Sequence, residues 1–218
     1  MPENINTKEY WENRFSSNDW VRNRGRWQTE SFARAQVEHF EIPSGFEGEI
    51  LDFGCGLGDA MPVYRRHFPN AKLIGIDISH NAIDKCNEEF GGIASFLPGV
   101  YRDVPNTDVI IASSVFEHLS NDREIARHLL SKCESLYITV PYKEHPLYIE
   151  HINAYDETYF QGVGSYDFRI FPCLGWTQYG VRGLWYNVYL KNIFRYCLGR
   201  PVVRRNMQIM FRFLTTCR

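Results

Sequence analysis

The sequence predicts an α/β fold in which a mostly parallel sheet carries helices on both faces. Two observations lead to this prediction. Short apolar runs alternate with segments of about 10 to 15 residues that have helical periodicity, an order typical of βαβ units. The first apolar run, residues 49–53, also leads directly into a glycine-rich turn, as a strand does when it ends at a ligand site.

The individual elements follow from periodicity and from the residues at their ends. We predict helices over 7–16, 29–40, 60–67, 80–90 and 121–132, and strands over 49–53, 72–77, 93–97, 108–113 and 135–140. Thr29 and Ser79 are predicted as N-terminal helix caps. Ligands of parallel sheets bind outside the carboxyl ends of the strands. The segments expected to share that rim are therefore 52–58, 77, 97–99 and 113–118.

The first rim segment, ILDFGCGLG over 50–58, predicts a site for a cationic cofactor that carries a nucleoside. Its glycines let the backbone approach a ligand, and Asp77 can accept hydrogen bonds from both hydroxyls of a ribose. A dinucleotide fingerprint would need glycine at position 59, where the chain has Asp59. Asp52 would repel a pyrophosphate but would suit an amino group. The alternative is an ordinary glycine-rich turn between a strand and a helix.

This pattern resembles the first motif of the class I S-adenosylmethionine-dependent methyltransferases. The other segments that resemble the family are, in chain order, KEYWENRF (8–15), TDVIIASS (107–114), VFEHL (115–119) and LYITVP (136–141). The resemblance covers roughly residues 8–160. It implies a Rossmann-like, seven-stranded sheet and S-adenosyl-L-methionine as the cofactor, and it extends to small-molecule and surface-polysaccharide-associated members.

The resemblance also implies which residues bind the cofactor. Asp52, Gly54, Gly56 and Gly58 would shape the site of the methionine end, and Asp77 would hold the ribose. Ile78 or Leu97 would flank the adenine. The remaining predicted cofactor-binding residues are Phe53, Cys55 and Ser113.

Methyl transfer to a hydroxyl gains from a general base or a metal ion, because a sugar hydroxyl has a high pKa. His118 is the main candidate for the base, with Glu117 and His151 as further catalytic candidates and His145 as a weaker one. The alternative is that His118 and Glu117 only cap or pack a helix start. Residues 114–118 also have the spacing of an E-x-x-E-H metal motif, although Ser114 replaces its first acid. Glu117, His118 and His151 could still bind a divalent metal.

The acceptor is expected to be a hydroxyl of a glycan or a lipid-linked sugar. Residues 144–156 follow the fifth strand and resemble the acceptor-side segment of polysaccharide-pathway methyltransferases. Tyr142, Tyr148 and Tyr155 could stack on a sugar, or could fill the core. Two alternatives stay open: a small-molecule O- or N-methyltransferase for a quinone or another aromatic acceptor, and a non-catalytic module that binds cofactor or recruits the protein to a membrane.

Length and composition limit the remaining choices. A chain of 218 residues predicts one α/β domain. The resemblance implies that this is a methyltransferase domain, placed at 1–180, with an extension over 181–218. The six scattered cysteines favour reduced thiols, and we see neither a signal peptide nor a membrane span. These features predict a cytoplasmic protein. The sequence does not reveal its oligomeric state.

The extension predicts a peripheral contact with an anionic membrane. From Phe168 onward the chain has nine Arg or Lys residues and no Asp or Glu. Two basic amphipathic helices are predicted, separated by Gly199 and Pro201. One apolar face would hold Tyr186, Leu190, Ile193, Phe194 and Cys197; the other would hold Val203, Met207, Met210, Phe211 and Leu214. Alternatively, these faces cover the sheet or form a dimer contact. Nucleic acid is not expected as a partner because no groove with stacking residues accompanies the charge.

Overall fold

The computed structural model describes residues 5–173, 189–200 and 207–215. Within these ranges the helices are α1 (Lys8–Ser16), α2 (Asp19–Arg22), α3 (Gly25–Gln36), α4 (Met61–His67), α5 (His80–Phe90), α6 (Asp122–Leu130) and α7 (Lys191–Cys197). The strands are β1 (Glu49–Phe53), β2 (Lys72–Asp77), β3 (Ser95–Pro98), β4 (Val109–Ser113), β5 (Ser135–Pro141), β6 (Tyr166–Pro172) and β7 (Met207–Leu214).

The strands form one seven-stranded sheet in the order β3-β2-β1-β4-β5-β7-β6. Strands β1 to β5 are parallel to their neighbours, whereas β7 runs antiparallel between β5 and β6. Successive side chains of β1 enter different cores: Ile50 packs with residues of α3, α4 and α5, and Leu51 packs with residues of α6. Helices therefore cover both faces, and the predicted α/β fold is confirmed.

Most predicted elements lie where the sequence indicated, but α3 lies earlier in the chain than predicted. It begins at Gly25, so Thr29 is not its cap; the Thr29 hydroxyl instead donates to the Gly25 carbonyl inside the helix at 3.1 Å. Gly25 has no Cβ, so the start of α3 can lie against the Trp20 ring; a Cβ at this position would be 2.2 Å from that ring. Ser79 does cap α5, since its hydroxyl accepts a hydrogen bond from Ala82 N.

The second C-terminal helix was predicted wrongly, because Met207–Leu214 is strand β7. Short apolar runs fit a helix and a buried strand equally well. Here the run lies between β5 and β6 and pairs with both, so its side chains are buried on both sides of the sheet. Residues 207–214 thus belong to the sheet rather than to a helical extension. Arg212 pairs with Glu41 and Asp167.

Of the first predicted C-terminal helix, the described residues include Lys191–Cys197, which form α7. Its apolar side chains are exposed, including Ile193, Phe194, Tyr196 and Leu198. The predicted positions Tyr186 and Val203 lie outside the described residues. No helix in the described part of the chain has the length and hydropathy that a membrane crossing requires.

Candidate functional site

The glycine turn that follows β1 has a backbone that only glycine adopts easily. Gly54 has φ +76°, and a Cβ there would lie 2.4 Å from the Val115 side chain. The turn is held against β2, because Gly54 N and Cys55 N both donate to the Ile76 carbonyl. Gly58, also at φ +76°, packs against Cys86 and Phe90 rather than facing the cavity.

Asp77 links this turn to the start of α5. One carboxylate oxygen accepts from Gly56 N and the other accepts from Ser79 N, both at 2.9 Å. The side chain is buried, and burial raises its pKa to about 6, against the lowering effect of these two backbone donors. Each carboxylate oxygen can accept a second hydrogen bond, so Asp77 can still take a ribose hydroxyl on each side.

Asp52 is the second buried acid of the site. Burial and the neighbouring charge of Asp77 raise its pKa to about 7. Two carboxyl groups this close together disfavour each other's ionisation. A cation placed beside Asp52 would reverse that effect, so this half of the site favours a positively charged ligand.

A cavity of about 250 Å³ opens beside these two acids. Nine sequence-predicted residues line it: Asp52, Phe53, Gly54, Cys55, Gly56, Asp77, Ile78, Ser113 and His118. Leu97 does not; it lies 45% exposed on β3, and Gly99, Val100 and Tyr101 form the wall at that end. Glu117 and His151 lie behind His118 rather than in the wall.

Aromatic side chains that the sequence motifs did not indicate form most of one wall. Trp11, Phe15, Trp20, Phe32 and Tyr64 line the cavity, the first three from α1 and α2. The spacing of Trp11 and Phe15 by four residues was the available signal, since it places both rings on one helix face. Glu12 holds helix α1 against the start of α5, beside Asp77. Its carboxylate accepts hydrogen bonds from Ser79 Oγ, His80 N and Asn81 N.

His118 ends the short turn after β4 and faces the cavity. Its Nδ1 lies 3.1 Å from the Glu150 carbonyl, which can only accept, so Nδ1 carries the proton and Nε2 has a free lone pair. Burial, and then the neighbouring His151, lower the pKa of His118 to about 3. The imidazole is therefore neutral at pH 7. Its ring packs edge-on against Trp11 and His151, with centroids 5.1 and 5.0 Å away.

Glu117 and His151 form a buried polar cluster with His118. Glu117 is 1% exposed, and burial raises its pKa to about 7. Its Oε2 has no hydrogen-bond partner among the described residues. His151 pairs through Nδ1 with Glu144; although burial acts in the opposite direction, the carboxylates of Glu144 and Glu117 raise the pKa of His151. One ligand atom from each of Glu117, His118 and His151 lies within 4.8 Å of the others.

The remaining acceptor-side candidates have different positions. His145 is exposed. Tyr155 fills the core and donates to the Phe116 carbonyl at 2.7 Å, whereas Tyr148 is exposed beside the His151 ring. The Tyr142 hydroxyl bonds to Glu157.

Comparison with known proteins identifies the domain. Residues 51–134 match the family described as a methyltransferase domain. The chain is 30% identical over 95 residues to trans-aconitate 2-methyltransferase of Afipia carboxidovorans, covering 41% of this chain and 37% of that protein. It is 26% identical over 110 residues to malonyl-[acyl-carrier protein] O-methyltransferase 1 of Ilyobacter polytropus, covering 48% and 41%. The chain thus spans about two fifths of the length of these curated relatives.

Solved structures share the fold over nearly the whole chain. A chain of the complex between the Haloferax volcanii Trm112 methyltransferase activator and a methyltransferase superposes with a TM-score of 0.66 at 13% identity, covering 94% of this chain and 97% of that one. The plantazolicin methyltransferase BpumL, solved with SAH, gives 0.60 at 17% identity and covers 95% of both. The match to a methyltransferase domain over residues 51–134, the seven-stranded sheet and the cavity beside Asp52 and Asp77 thus make this chain similar in fold to known methyltransferases.

Proposed function

We propose that the protein transfers the methyl group of S-adenosyl-L-methionine to a hydroxyl group, with a glycan or a lipid-linked sugar as the acceptor class. One observation carries this proposal: the two acids of the donor site and His118 line the same cavity. A donor and the hydroxyl it methylates can therefore meet beside a neutral imidazole.

The donor would lie along the glycine turn. Its ribose hydroxyls would donate to Asp77, and its amino group would lie near Asp52, whose negative charge it would stabilise. Ile78 and Val100 would flank the adenine. The aromatic rings of α1 and α2 would exclude water from the sulfonium, which favours displacement by the positioned acceptor over hydrolysis.

The transfer is an in-line displacement. The acceptor oxygen forms a bond to the methyl carbon as the carbon–sulfur bond breaks, and the electron pair of that bond remains on sulfur. The hydroxyl proton passes to Nε2 of His118. A pKa of about 3 makes His118 a weak base in the free protein, so the Glu150 carbonyl, the partner that raises this pKa, would be needed to stabilise the imidazolium that forms.

The rings of Trp11, Phe15 and Trp20 support an acceptor with a flat or weakly polar face. Sugar rings and aromatic rings both have such faces, so the small-molecule alternative predicts the same wall.

Purified protein should be titrated with S-adenosylhomocysteine by calorimetry and then assayed for methyl transfer to glycan extracts, to soluble phenols and quinols, and to trans-aconitate. Transfer to glycans alone supports the proposal. Transfer to phenols alone favours the small-molecule alternative, and binding without transfer to any acceptor favours the non-catalytic one.

A divalent metal ion is a second candidate for activating the hydroxyl, and the residues present fit one. Metal-bound histidines usually donate their other ring N–H to a carboxylate or a carbonyl. His151 has Glu144 in that place and His118 has the Glu150 carbonyl. With Glu117 Oε2 otherwise unpartnered, Glu117, His118 and His151 would hold the ion, which as a Lewis acid would lower the pKa of the hydroxyl.

Activity after treatment with EDTA, and after return of Mg²⁺ or Mn²⁺, distinguishes the two candidates. If the ion is required, EDTA abolishes turnover and the added ion restores it. If His118 acts as the base, EDTA leaves turnover unchanged.

We also propose a peripheral membrane contact through α7. Ile193, Phe194, Tyr196 and Leu198 are exposed beside the basic Lys191 and Arg200, a combination that suits an anionic bilayer surface. Flotation with vesicles containing anionic lipid tests this contact. An Ile193→Ser/Phe194→Ser variant should float less than the parent, whereas Val21→Ser, which removes an exposed apolar residue of α2, should float as the parent does. Equal flotation of all three would contradict it.

A further inference from the structure

We infer that Glu150 is a positioning residue, which makes the orientation of His118 depend on the docking of α1 over the cavity. The inference rests on the proposed function of His118. It arises because one residue, Glu150, bonds to the N-terminal segment through its side chain and to the histidine through its backbone.

The carboxylate of Glu150 is bound by α1. It accepts a hydrogen bond from the Tyr10 hydroxyl and pairs with Arg14 at 3.1 Å. Glu150 is only 5% exposed. A buried carboxylate is costly unless it is paired and hydrogen-bonded, so this position of Glu150 is stable only while α1 supplies both partners.

The backbone carbonyl of Glu150 binds His118. It accepts from His118 Nδ1 at 3.1 Å and also from Asn6 Nδ2 at 2.8 Å, just before α1 begins. The first bond selects the tautomer in which Nε2 is unprotonated. The same bond fixes the ring with its free nitrogen available to an acceptor.

Helix α1 also forms a wall of the cavity. Trp11 and Phe15 line it, and the Trp11 ring lies against His118. A donor bound between the glycine turn and Asp77 would have these rings on its outer side. Helix α1 must therefore be docked when the cavity is filled, and docking brings Tyr10 and Arg14 to Glu150.

These contacts connect α1 to the proposed base through Glu150. With α1 docked, Glu150 is paired and its carbonyl holds His118 in the reactive tautomer. With α1 displaced, the Glu150 carboxylate would lose both partners and move toward water, and its carbonyl would leave Nδ1. His118 would then be free to adopt the other tautomer, in which Nε2 is protonated and cannot accept a proton.

The experiment compares Glu150→Ala and Glu150→Gln with the parent. A matched control is Glu157→Gln, because Glu157 pairs with Tyr142 and Lys143 and belongs to the same segment without contacting α1 or His118. Two quantities are measured: the kcat and KM values for methyl transfer, and the tautomer of His118 from its ring ¹⁵N chemical shifts, which does not require turnover.

In Glu150→Ala we expect kcat to fall about 10- to 100-fold with the donor KM within about threefold, and the Nε2–H tautomer to become populated. Glu150→Gln can still accept from Tyr10, so it should recover to within about fivefold of the parent kcat. Glu157→Gln should match the parent. An unchanged His118 tautomer in Glu150→Ala would overturn the inference.

A second variant tests the same contact if Glu150→Ala does not fold, and His118→Gln tests the proposed base separately. If Glu150→Ala does not fold, Tyr10→Phe removes one hydroxyl from the same contact and should shift the tautomer in the same direction; an unshifted tautomer there would count against the inference. If His118→Gln retains full turnover, the proposed base is wrong, while the ¹⁵N measurement still decides whether Glu150 orients His118.

Discussion

The donor end and the acceptor end of the cavity are built in different ways. The donor end consists of strand ends and turns that are close in sequence, since Gly56 and Asp77 are joined across only 21 residues. The acceptor end joins distant segments: His118 meets Glu150 across 32 residues, and Tyr10 meets Glu150 across 140. The donor end therefore follows from local backbone geometry, whereas the acceptor end exists only after the N-terminal helix and the segment after β5 have packed together.

Because the two ends are built separately, we expect cofactor affinity and kcat to respond to different substitutions. Changes at the donor end should weaken the binding of the cofactor. Changes at the acceptor end should lower kcat and leave cofactor affinity nearly intact. Four substitutions, from the largest expected effect to the smallest, test that separation.

Asp77→Ala should abolish measurable donor binding. It removes the acceptor for two ribose hydroxyls, and hydrogen bonds to a charged group contribute about 1.5–3 kcal/mol each, so the Kd for S-adenosylhomocysteine should rise at least about 100-fold. Calorimetry measures this directly. Asp84→Ala, on the exposed side of α5, is the control and should bind as the parent does. A Kd within threefold of the parent for Asp77→Ala would remove the proposed donor site.

His118→Gln should lower kcat by about 10²- to 10⁴-fold, the range that loss of a general base produces. Donor affinity should stay within about threefold, because Gln retains an N–H that can donate to the Glu150 carbonyl. His67→Gln, at a half-buried histidine of α4 outside the cavity wall, controls for the substitution itself. A large loss of donor affinity in His118→Gln would erase the separation between the two ends.

Asp52→Asn should weaken donor binding by about 10- to 100-fold at pH 7.5 and hardly at all at pH 5.5. A cationic donor binds the ionised form of Asp52, whose pKa is about 7 in the free protein. Below that pH the parent must release a proton to bind, so its advantage over the variant should grow as the pH rises. The measurement is the ratio of the two Kd values for S-adenosylmethionine from pH 5.5 to 8.5.

A ratio that does not change with pH would contradict this role of Asp52. Thermal unfolding supplies a second check. A buried acid with a raised pKa destabilises the free protein above its unfolded-state pKa, so Asp52→Asn should melt at a higher temperature than the parent at pH 7.5 without ligand. The variant should gain less from added S-adenosylmethionine.

Glu12→Gln should have the smallest effect, a two- to fivefold rise in the donor Kd, on the order of 0.5–1 kcal/mol. Although burial acts in the opposite direction, hydrogen bonds from Ser79, Asn81 and His80 lower the pKa of Glu12 to about 2, so the carboxylate is charged at the start of α5. Glu9→Gln, exposed on the same helix, should match the parent. If Glu12→Gln lowers kcat without changing the Kd, then α1 serves the acceptor end alone.

The sequence by itself determined the fold class and most of the donor end. The alternation of strands and helices, the positive-φ glycines and the acid that ends β2 are local features, and each was read from a few consecutive residues. His118 was also placed at the cavity this way, because the segment after β4 was expected on the rim. Leu97, predicted at the cavity, is 45% exposed on β3, and the residues that follow this strand line the cavity instead.

Only the tertiary structure decided the aromatic wall, the partners of His118 and the nature of residues 207–214. Apolar spacing in 207–214 fits a helix, but a gap between β5 and β6 with unpaired backbone groups on both sides makes it a strand. Glu150 carries no local signal, since its role depends on Tyr10 and Arg14 far away in the chain. Local geometry is encoded in neighbouring residues, whereas contacts between distant segments depend on how the whole core packs.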